Sequence, residues 1–443
     1  MKYDYAYMPE GEQSFSNALR NTIENTGARD TWTDTFVRRI EYSSTSIILR
    51  LIANSRVNDI LSLEGVITIT TEFLLRSNRF TEEEKAKLPG LVKQLILCPE
   101  TTNSYYSVFH IPKKSGGTRL IEAPEDLLKK IQRVLLQTLW YALGAPAKCS
   151  HGFVPKRGTK TCAQAHFNEN EARQRVLLKM DLRDFFTSVS FGSLFNQIVN
   201  YVDRNLSGRD NRYQKIPKAI IYILRDHAKD FNIDINDKIP ILEEEGSYYK
   251  ANAETLFAYP ALGLYALIYG ACRLCTVDER LPQGSPCSPA LTNIFMQKFC
   301  SGVMSIINRI CTEFPSANIE FTIYADDLIV TTSETRYAVK MRGILEKMIY
   351  EYPDISQNME KTCIFRHGQP QRVTGIEITD KLSISRKQRD KVRAELHNAA
   401  AGKITLTEQD KMRLKGVRAW MIGVDPTGWN SRCEEDYNKV IGK

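Results

Sequence analysis

The sequence predicts an α+β fold, and three observations carry that prediction. Apolar residues in the first hundred positions recur at helical spacing, as in Phe36-Val37, Ile40 and Ile47-Ile48-Leu49. Short apolar runs between turn-forming residues read as strands in the middle of the chain, with Phe321-Thr322-Ile323 and Leu328-Ile329-Val330 flanking one tight turn. The tail from residue 385 returns to helical spacing and is rich in Lys and Arg.

Each element follows in order. Thr81 with Glu84 three positions on has the spacing of a capping box and opens a helix. Tyr105 to Pro112 is extended, Lys113-Lys114-Ser115-Gly116-Gly117 is a turn, and Thr118 to Ala123 returns as the second strand of a hairpin. Leu127, Leu128, Ile131, Val134, Leu135 and Leu139 line one face of the next helix. Residues 175–182, Arg-Val-Leu-Leu-Lys-Met-Asp-Leu, read as a buried strand that ends in a carboxylate. Residues 203–250 are polar and read as an insertion. Ser288 as cap with Pro289 at the first position starts a helix. The segments within 361–377 read as strands. The domain boundaries expected from this are a helical extension over 1–100, a unit over 101–175, a central unit over 176–380 that includes the insertion, and a basic helical unit over 381–443.

The chain of 443 residues carries a net charge of +8, and the placement of that charge matters more than its size. Residues 111–160 hold 10 Lys and Arg against 3 Asp and Glu, and residues 381–443 hold 14 against 8, so the rest of the chain is slightly acidic. Two basic segments on a near-neutral body point to a polyanionic partner such as nucleic acid. The ten cysteines are scattered, and the one close pair, Cys272 and Cys275, has no second pair at zinc-site spacing, so reduced thiols are expected. The N-terminus is polar and no apolar run reaches the roughly 18 residues that a membrane span needs. A cytoplasmic protein without a membrane partner is expected.

The chemistry gathers at Tyr324-Ala325-Asp326-Asp327, where two carboxylates sit at the turn of a predicted hairpin. An Asp pair alone reads as a solvated turn. A third carboxylate, Asp181, ends the strand 145 residues upstream of Asp326. Three carboxylates on rigid strand ends suit a pair of hard divalent cations, two Mg²⁺ with Mn²⁺ as an alternative, and that is the arrangement two-metal phosphoryl transfer needs. Asp181, Asp326 and Asp327 are the expected metal ligands and catalytic residues.

Several further segments, in order, resemble the reverse transcriptases, in particular the bacterial retron and defence-associated groups. These are Ile111-Pro112-Lys113-Lys114-Ser115-Gly116-Gly117-Thr118-Arg119, His151-Gly152-Phe153-Val154-Pro155-Lys156-Arg157-Gly158, the Asp181 segment, Leu281-Pro282-Gln283-Gly284-Ser285-Pro286, Tyr324–Asp327, and Asn358-Met359-Glu360-Lys361-Thr362. The resemblance runs from about residue 105 to about residue 425. It implies a right-hand polymerase fold with fingers and part of the palm over 101–175, palm with the 203–250 insertion and returning fingers segments over 176–380, and thumb over 381–443, preceded by the helical N-terminal extension. It also implies an RNA-directed DNA polymerase that copies a structured non-coding RNA into cDNA from dNTPs, in a retron-like antiphage defence system with an effector protein.

Roles follow residue by residue from the resemblance. Lys114 and Arg119 would reach the incoming triphosphate, and Gln283 and Gly284 would line the nucleotide pocket. Phe186, five positions after Asp181, would close against the sugar's 2′ position and select deoxynucleotides, with Phe185 turned to the opposite face of an extended strand. Lys361 would give a proton to the leaving pyrophosphate. Val373-Thr374-Gly375 is similar to the retron VTG element, and Thr161-Cys162-Ala163-Gln164-Ala165-His166 stands where retrons carry NAxxH, with Cys162 in the Asn place. Arg157, His166 and Thr374, together with Lys411, Arg413, Lys415 and Arg418 of the basic tail, are the expected RNA contacts. Other readings are a non-retron defence-associated enzyme, a group II intron-type maturase, an RNA-dependent RNA polymerase, which Phe186 disfavours, and a non-catalytic RNA-binding scaffold, which the bare carboxylates disfavour.

Overall fold

A computed structural model describes residues 62–113, 116–140, 146–171, 174–206 and 260–441. The expected helices before residue 62, Lys114 and the polar insertion from residue 207 onward lie outside the described residues. The chain divides into two compact units. One is drawn from the residues up to 145 and from Phe186–Lys298, the other from Pro146–Phe185 and from Phe299 onward.

The first unit begins with helix α1, Leu63–Leu75, whose first turn is capped by the Ser62 hydroxyl accepting from Gly65 N at 3.0 Å. Helix α2, Glu82–Leu97, opens on the capping box expected at Thr81: Glu84 N donates to Thr81 Oγ1 at 3.2 Å and Thr81 N donates to Glu84 Oε2 at 2.8 Å. Strands β1, Tyr106–Pro112, and β2, Thr118–Pro124, pair antiparallel as the expected hairpin, and Gly116 and Gly117 adopt φ of +91° and +76° in its turn. Helix α3, Asp126–Leu135, buries Leu128, Ile131, Val134 and Leu135, with Leu139 and Trp140 continuing the apolar face. After the helical turn Phe185–Ser188 come α5, Phe191–Leu206, and α6, Pro260–Arg273, the latter lying close to α1 where Gly270 faces Thr70. Helix α7, Ser288–Phe295, starts one residue away from the expected cap: Cys287 holds the cap position and the Ser288 hydroxyl instead donates to Pro282 O at 2.7 Å.

The second unit holds the sheet that positions the carboxylates. Helix α4, Thr159–His166, is followed by β3, Val176–Leu182. Helix α8, Gln297–Glu313, leads to β4, Glu320–Tyr324, and β5, Asp327–Thr332. Helix α9, Thr335–Glu351, and strand β6, Gln357–Phe365, complete an antiparallel sheet of order β4-β5-β3-β6. β3 is central and buried, as its near-continuous apolar run requires. Three two-residue strands, β7 Arg372–Val373, β8 Ile376–Glu377 and β9 Ser383–Ile384, form a second small sheet. The basic tail folds as α10, Arg386–Ala400, α11, Glu408–Val424, and α12, Ser431–Val440. One apolar cluster joins these parts, with Cys162 and Ala163 of α4, Leu177 of β3, Ile329 of β5, Val373, Ile376 and Ile384 of the small sheet, and Met421 and Val424 of α11. Among the described residues no single helix is long and apolar enough to cross a membrane.

Candidate active site

β4 and β5 are joined by Ala325 and Asp326 alone, with Tyr324 and Asp327 as the closing pair. A two-residue turn of this kind needs a residue at positive φ, and Ala325 supplies it at +55° without being glycine. The turn is braced from one side. His151 N donates to Ile323 O and Ile323 N donates to Cys149 O, both at 2.9 Å, so residues 149–151 run beside β4. Gly152 then lies so close to the turn that a Cβ there would meet Ala325 N at 2.6 Å. The Phe153 and Tyr324 rings follow at 6.5 Å between centroids.

Asp181 stands directly opposite Asp327 in the β3–β5 register, and Leu182 N donates to Asp326 O at 2.9 Å. Directly opposed residues share a face of the sheet, so the Asp181 and Asp327 carboxylates lie on one face beside the turn that carries Asp326. Burial pushes the Asp326 carboxyl above its ordinary value, and the negative charges of Asp327 and Asp181 add to the effect. Burial likewise raises Asp327, with Lys179 opposing and Asp181 reinforcing. Like charges held together in this way hold a surplus of negative charge that a cation relieves.

One cation is already present. The β3–β6 register shifts between the pairs Lys179↔Cys363 and Asp181↔Asn358; continued without the shift it would set Lys361 opposite Asp181, and the shift puts Asn358 there, so both residues lie beside that carboxylate. Lys361 Nζ donates to both Asp181 oxygens at 3.1 Å, and that bond is the main reason its own pKa is raised. Asn358 Nδ2 donates to Asp181 Oδ2 at 3.2 Å. As the side chains stand, no three His, Cys, Asp or Glu groups among the described residues converge on one metal position. The donor chemistry nevertheless suits a hard cation: three carboxylates supply oxygens, two of them raised by burial and by neighbouring negative charge, while the Lys361 ammonium engages the Asp181 oxygens that an ion would take.

The first unit carries the expected nucleotide-pocket residues. Arg119 is exposed on β2. Gln283 and Gly284 sit in a loop fastened to β2 and α3. Glu122 N donates to Gln283 O at 2.9 Å, and Arg280 makes two 2.8 Å bonds to the buried Glu122 carboxylate. Gly284, at φ +149°, passes so near β2 that a Cβ would meet Glu122 O at 2.4 Å. Gln132, fully buried, donates to Tyr106 Oη at 2.8 Å and Leu274 O at 2.9 Å, and accepts from Ser285 Oγ at 2.8 Å. Phe186 is half-buried. It does not continue β3 as expected, because the strand ends at Leu182 and Phe185-Phe186 open a helical turn in which Phe185 alone is buried. The two rings are separated by helical rotation rather than by strand alternation.

The expected RNA contacts divide. His166 is corrected: it is 1% exposed, with Nδ1 2.9 Å from Thr331 Oγ1 and Nε2 2.7 Å from Thr322 Oγ1. Buried against β4 and β5, its ring is not a surface for RNA. Thr374, at φ +49°, donates its hydroxyl to Thr159 O at 3.0 Å. Arg157 Nη1 donates to the carbonyls of Ala147, Lys148 and Ser150 at 2.8, 3.1 and 2.6 Å and so closes the loop before Gly152. In the tail Lys411 pairs with Glu408 at 2.8 Å, Arg413 pairs with Glu395, Arg418 pairs with both Glu434 oxygens at 2.9 and 2.6 Å, and Lys415 is exposed. Asn358, Gly152, Glu122 and Gln132 had no assigned role in the sequence. Their partners lie from about 25 to 180 residues away, and no local pattern signals such contacts.

β3 and the β4–β5 hairpin set Asp181, Asp326 and Asp327 at one end of one sheet, and the chain that carries them matches a known family by its sequence. Residues 111–217 and 253–383 match Reverse transcriptase (RNA-dependent DNA polymerase), and the chain belongs to that family. Within it the likeness is to the bacterial retron type. The Retron Mx65 reverse transcriptase of Myxococcus xanthus is 27% identical over 74% of this chain and 63% of its own length. The Retron Ec73 reverse transcriptase of Escherichia coli is 25% identical over 76% of this chain and 87% of its own length. The chain thus spans about three fifths of the Mx65 enzyme. Among solved structures, apo telomerase from Candida Tropicalis is similar at TM-score 0.44 and 12% identity, over 77% of this chain and 60% of that chain.

Proposed function

We propose that this protein is an RNA-directed DNA polymerase that extends a primer with dNTPs on a structured RNA template. The observation that carries the reading is the pairing of Asp181 with Asp327 across β3 and β5, with Asp326 at the adjoining turn, in a chain of this family. Asp181, Asp326 and Asp327 are the groups that would hold Mg²⁺. Two such ions, when bound, lower the charge barrier to attack of a 3′-hydroxyl on the α-phosphate and to departure of pyrophosphate. Asn358 fixes one Asp181 oxygen. Lys361, kept protonated by Asp181, is a proton source for the departing pyrophosphate. Arg119 and Lys114 neutralise the triphosphate, Gln283 and Gly284 shape its pocket, and Phe186 excludes a 2′-hydroxyl. In domain terms 101–175 would serve as fingers with part of the palm, 176–380 as palm with returning fingers segments, and 381–443 as thumb.

The test is primer extension on RNA with Mg²⁺. Asp181→Asn, and the double change Asp326→Ala with Asp327→Ala, are expected to lower synthesis at least about a thousandfold while RNA binding stays within about threefold. Retained synthesis by the double variant overturns the assignment. The retron-type likeness extends the proposal to a dedicated non-coding RNA and to a place in antiphage defence with an effector protein. Nucleic acid that copurifies with the protein, and plaque counts with and without the gene, test those two points separately.

A further inference from the structure

The sequence segments that look like retron signatures meet on one short helix. α4, Thr159–His166, is eight residues or about 12 Å long. Its C-terminal end is bonded to both strands of the carboxylate hairpin, through His166 to Thr322 of β4 and Thr331 of β5, and Cys162 Sγ lies 3.3 Å from the same Thr322 hydroxyl. Its N-terminal end is bonded to two elements distant in sequence. Thr374 of the β7–β8 turn donates to Thr159 O at 3.0 Å, and Trp420 Nε1 of α11 donates to Thr159 Oγ1 at 3.3 Å. Thr159, Cys162 and His166 stand at i, i+3 and i+7, so one helix face carries the whole line of contacts. The first turn is also tied to the segment that braces the turn: His151 Nδ1 lies 2.9 Å from Thr161 Oγ1, and His151 N donates to Ile323 O.

We propose that α4 is a strut that carries the placement of the Thr374 turn and of α11 to the Asp326–Asp327 turn, with His166 as its positioning residue. A rigid rod bonded at both ends moves as one piece, whereas a surface helix bonded at one end does not. The buried His has no water to replace a lost partner, so either Thr hydroxyl is costly to remove. The basic tail and the catalytic hairpin therefore share a mechanical link within this unit, and the state of the tail biases the carboxylates. This inference rests on the polymerase reading for its catalytic readout but not for its structural one.

The experiment uses the full chain and two measurements. One is kcat and KM for dNTP in RNA-templated primer extension, and the other is hydrogen–deuterium exchange of peptides covering 320–331. Thr322→Val, which keeps shape and removes the hydroxyl, is expected to lower kcat about tenfold with KM within about twofold, and Thr322→Ser to restore most of it. Trp420→Phe acts at the opposite end of the rod. It is expected to speed exchange in 320–331 and to lower kcat about threefold to tenfold, with much less effect in the Thr322→Val background. Unchanged exchange in 320–331 on Trp420→Phe, or kcat losses that simply multiply in the double variant, overturns the strut. If the wild-type protein synthesises no DNA, the polymerase reading fails while the exchange measurement still decides the strut.

Discussion

At Gly152 a hydrogen in place of a methyl group lets the backbone lie against the carboxylate turn. The neighbouring atoms, Ala325 N at 2.6 Å and Tyr324 C at 3.2 Å from where a Cβ would be, are backbone and cannot swing aside. Gly152→Ala should therefore displace the Asp326 turn without removing any catalytic group. A shift approaching 1 Å at such a site costs about a hundredfold in rate. Primer extension should show that loss while circular dichroism and RNA affinity remain near wild type; activity within threefold of wild type would mean that the turn tolerates the displacement. His166 offers a second residue-scale check through pH. Burial, then the nearby charges of Arg175 and His151, lowers its pKa to about 3. Its folded-state value is thus depressed below the free value, so its neutral form supports the fold above about pH 6.5, and that support is lost as the pH falls from there toward about 3. The slope is about 1.4 kcal/mol per pH unit. His166→Gln carries no titration there. The thermal midpoint of the wild type should fall more steeply than the variant's between pH 6.5 and 5, and parallel curves would show that His166 does not stay neutral on folding.

At the scale of elements, the irregular β6 and the short helical turn after β3 do the aiming. An unshifted β3–β6 ladder would set Lys361 alone opposite Asp181; the register shift in β6 puts Asn358 there as well, so that two side chains engage the one carboxylate. The helical turn Phe185–Ser188 gives Phe186 a different rotation from a continued strand and buries Phe185. Phe186→Val should raise the ratio of rNTP to dNTP incorporation about tenfold or more, because the smaller side chain leaves room for a 2′-hydroxyl. Single-nucleotide incorporation measures it, and an unchanged ratio would make Phe186 a packing residue. β3, the hairpin β4–β5, the β1–β2 hairpin and the Thr81 capping box were legible, because each follows from local apolar period and turn chemistry. The start of α7 lies one residue from the expected place, because the Ser288 hydroxyl is taken by Pro282 O, six residues back in the preceding loop, and does not cap the helix. The three carboxylates were legible through flanking strands, yet their registry is a pairing of strands distant in sequence, and the Asn358 contact to Asp181 depends on a register shift in β6 that no local signal announces. His166 was misread as a surface residue because a polar residue on a short helix carries no sequence mark of the threonines that bury it.

At the scale of the whole molecule, charge totals describe the sequence better than they describe a binding surface. The tail from 381 has a net charge of +6, but much of its basic inventory is engaged inside the tail itself. Arg418 is held by Glu434, Arg413 by Glu395, and Lys381 and Arg389 lie near the buried Asp425. Trp429 Nε1 also donates to Glu434 at 2.6 Å, so the Arg418 guanidinium belongs to the packing of α11 with α12. Counterion release follows only those cations that can reach phosphate. Lys415, exposed on α11, should contribute a full contact, and Arg418 should contribute little. Lys415→Ala is therefore expected to lower the slope of log affinity against log salt by about 0.7–0.9, equally for a copurified RNA and an unrelated hairpin. Arg418→Ala should lower the thermal midpoint while leaving that slope nearly unchanged. Filter binding between about 50 and 200 mM salt, with a melting curve for each variant, makes the comparison. If Arg418→Ala flattens the salt slope as much as Lys415→Ala, the Glu434 pair opens when RNA binds, and the tail presents its charge only in the complex.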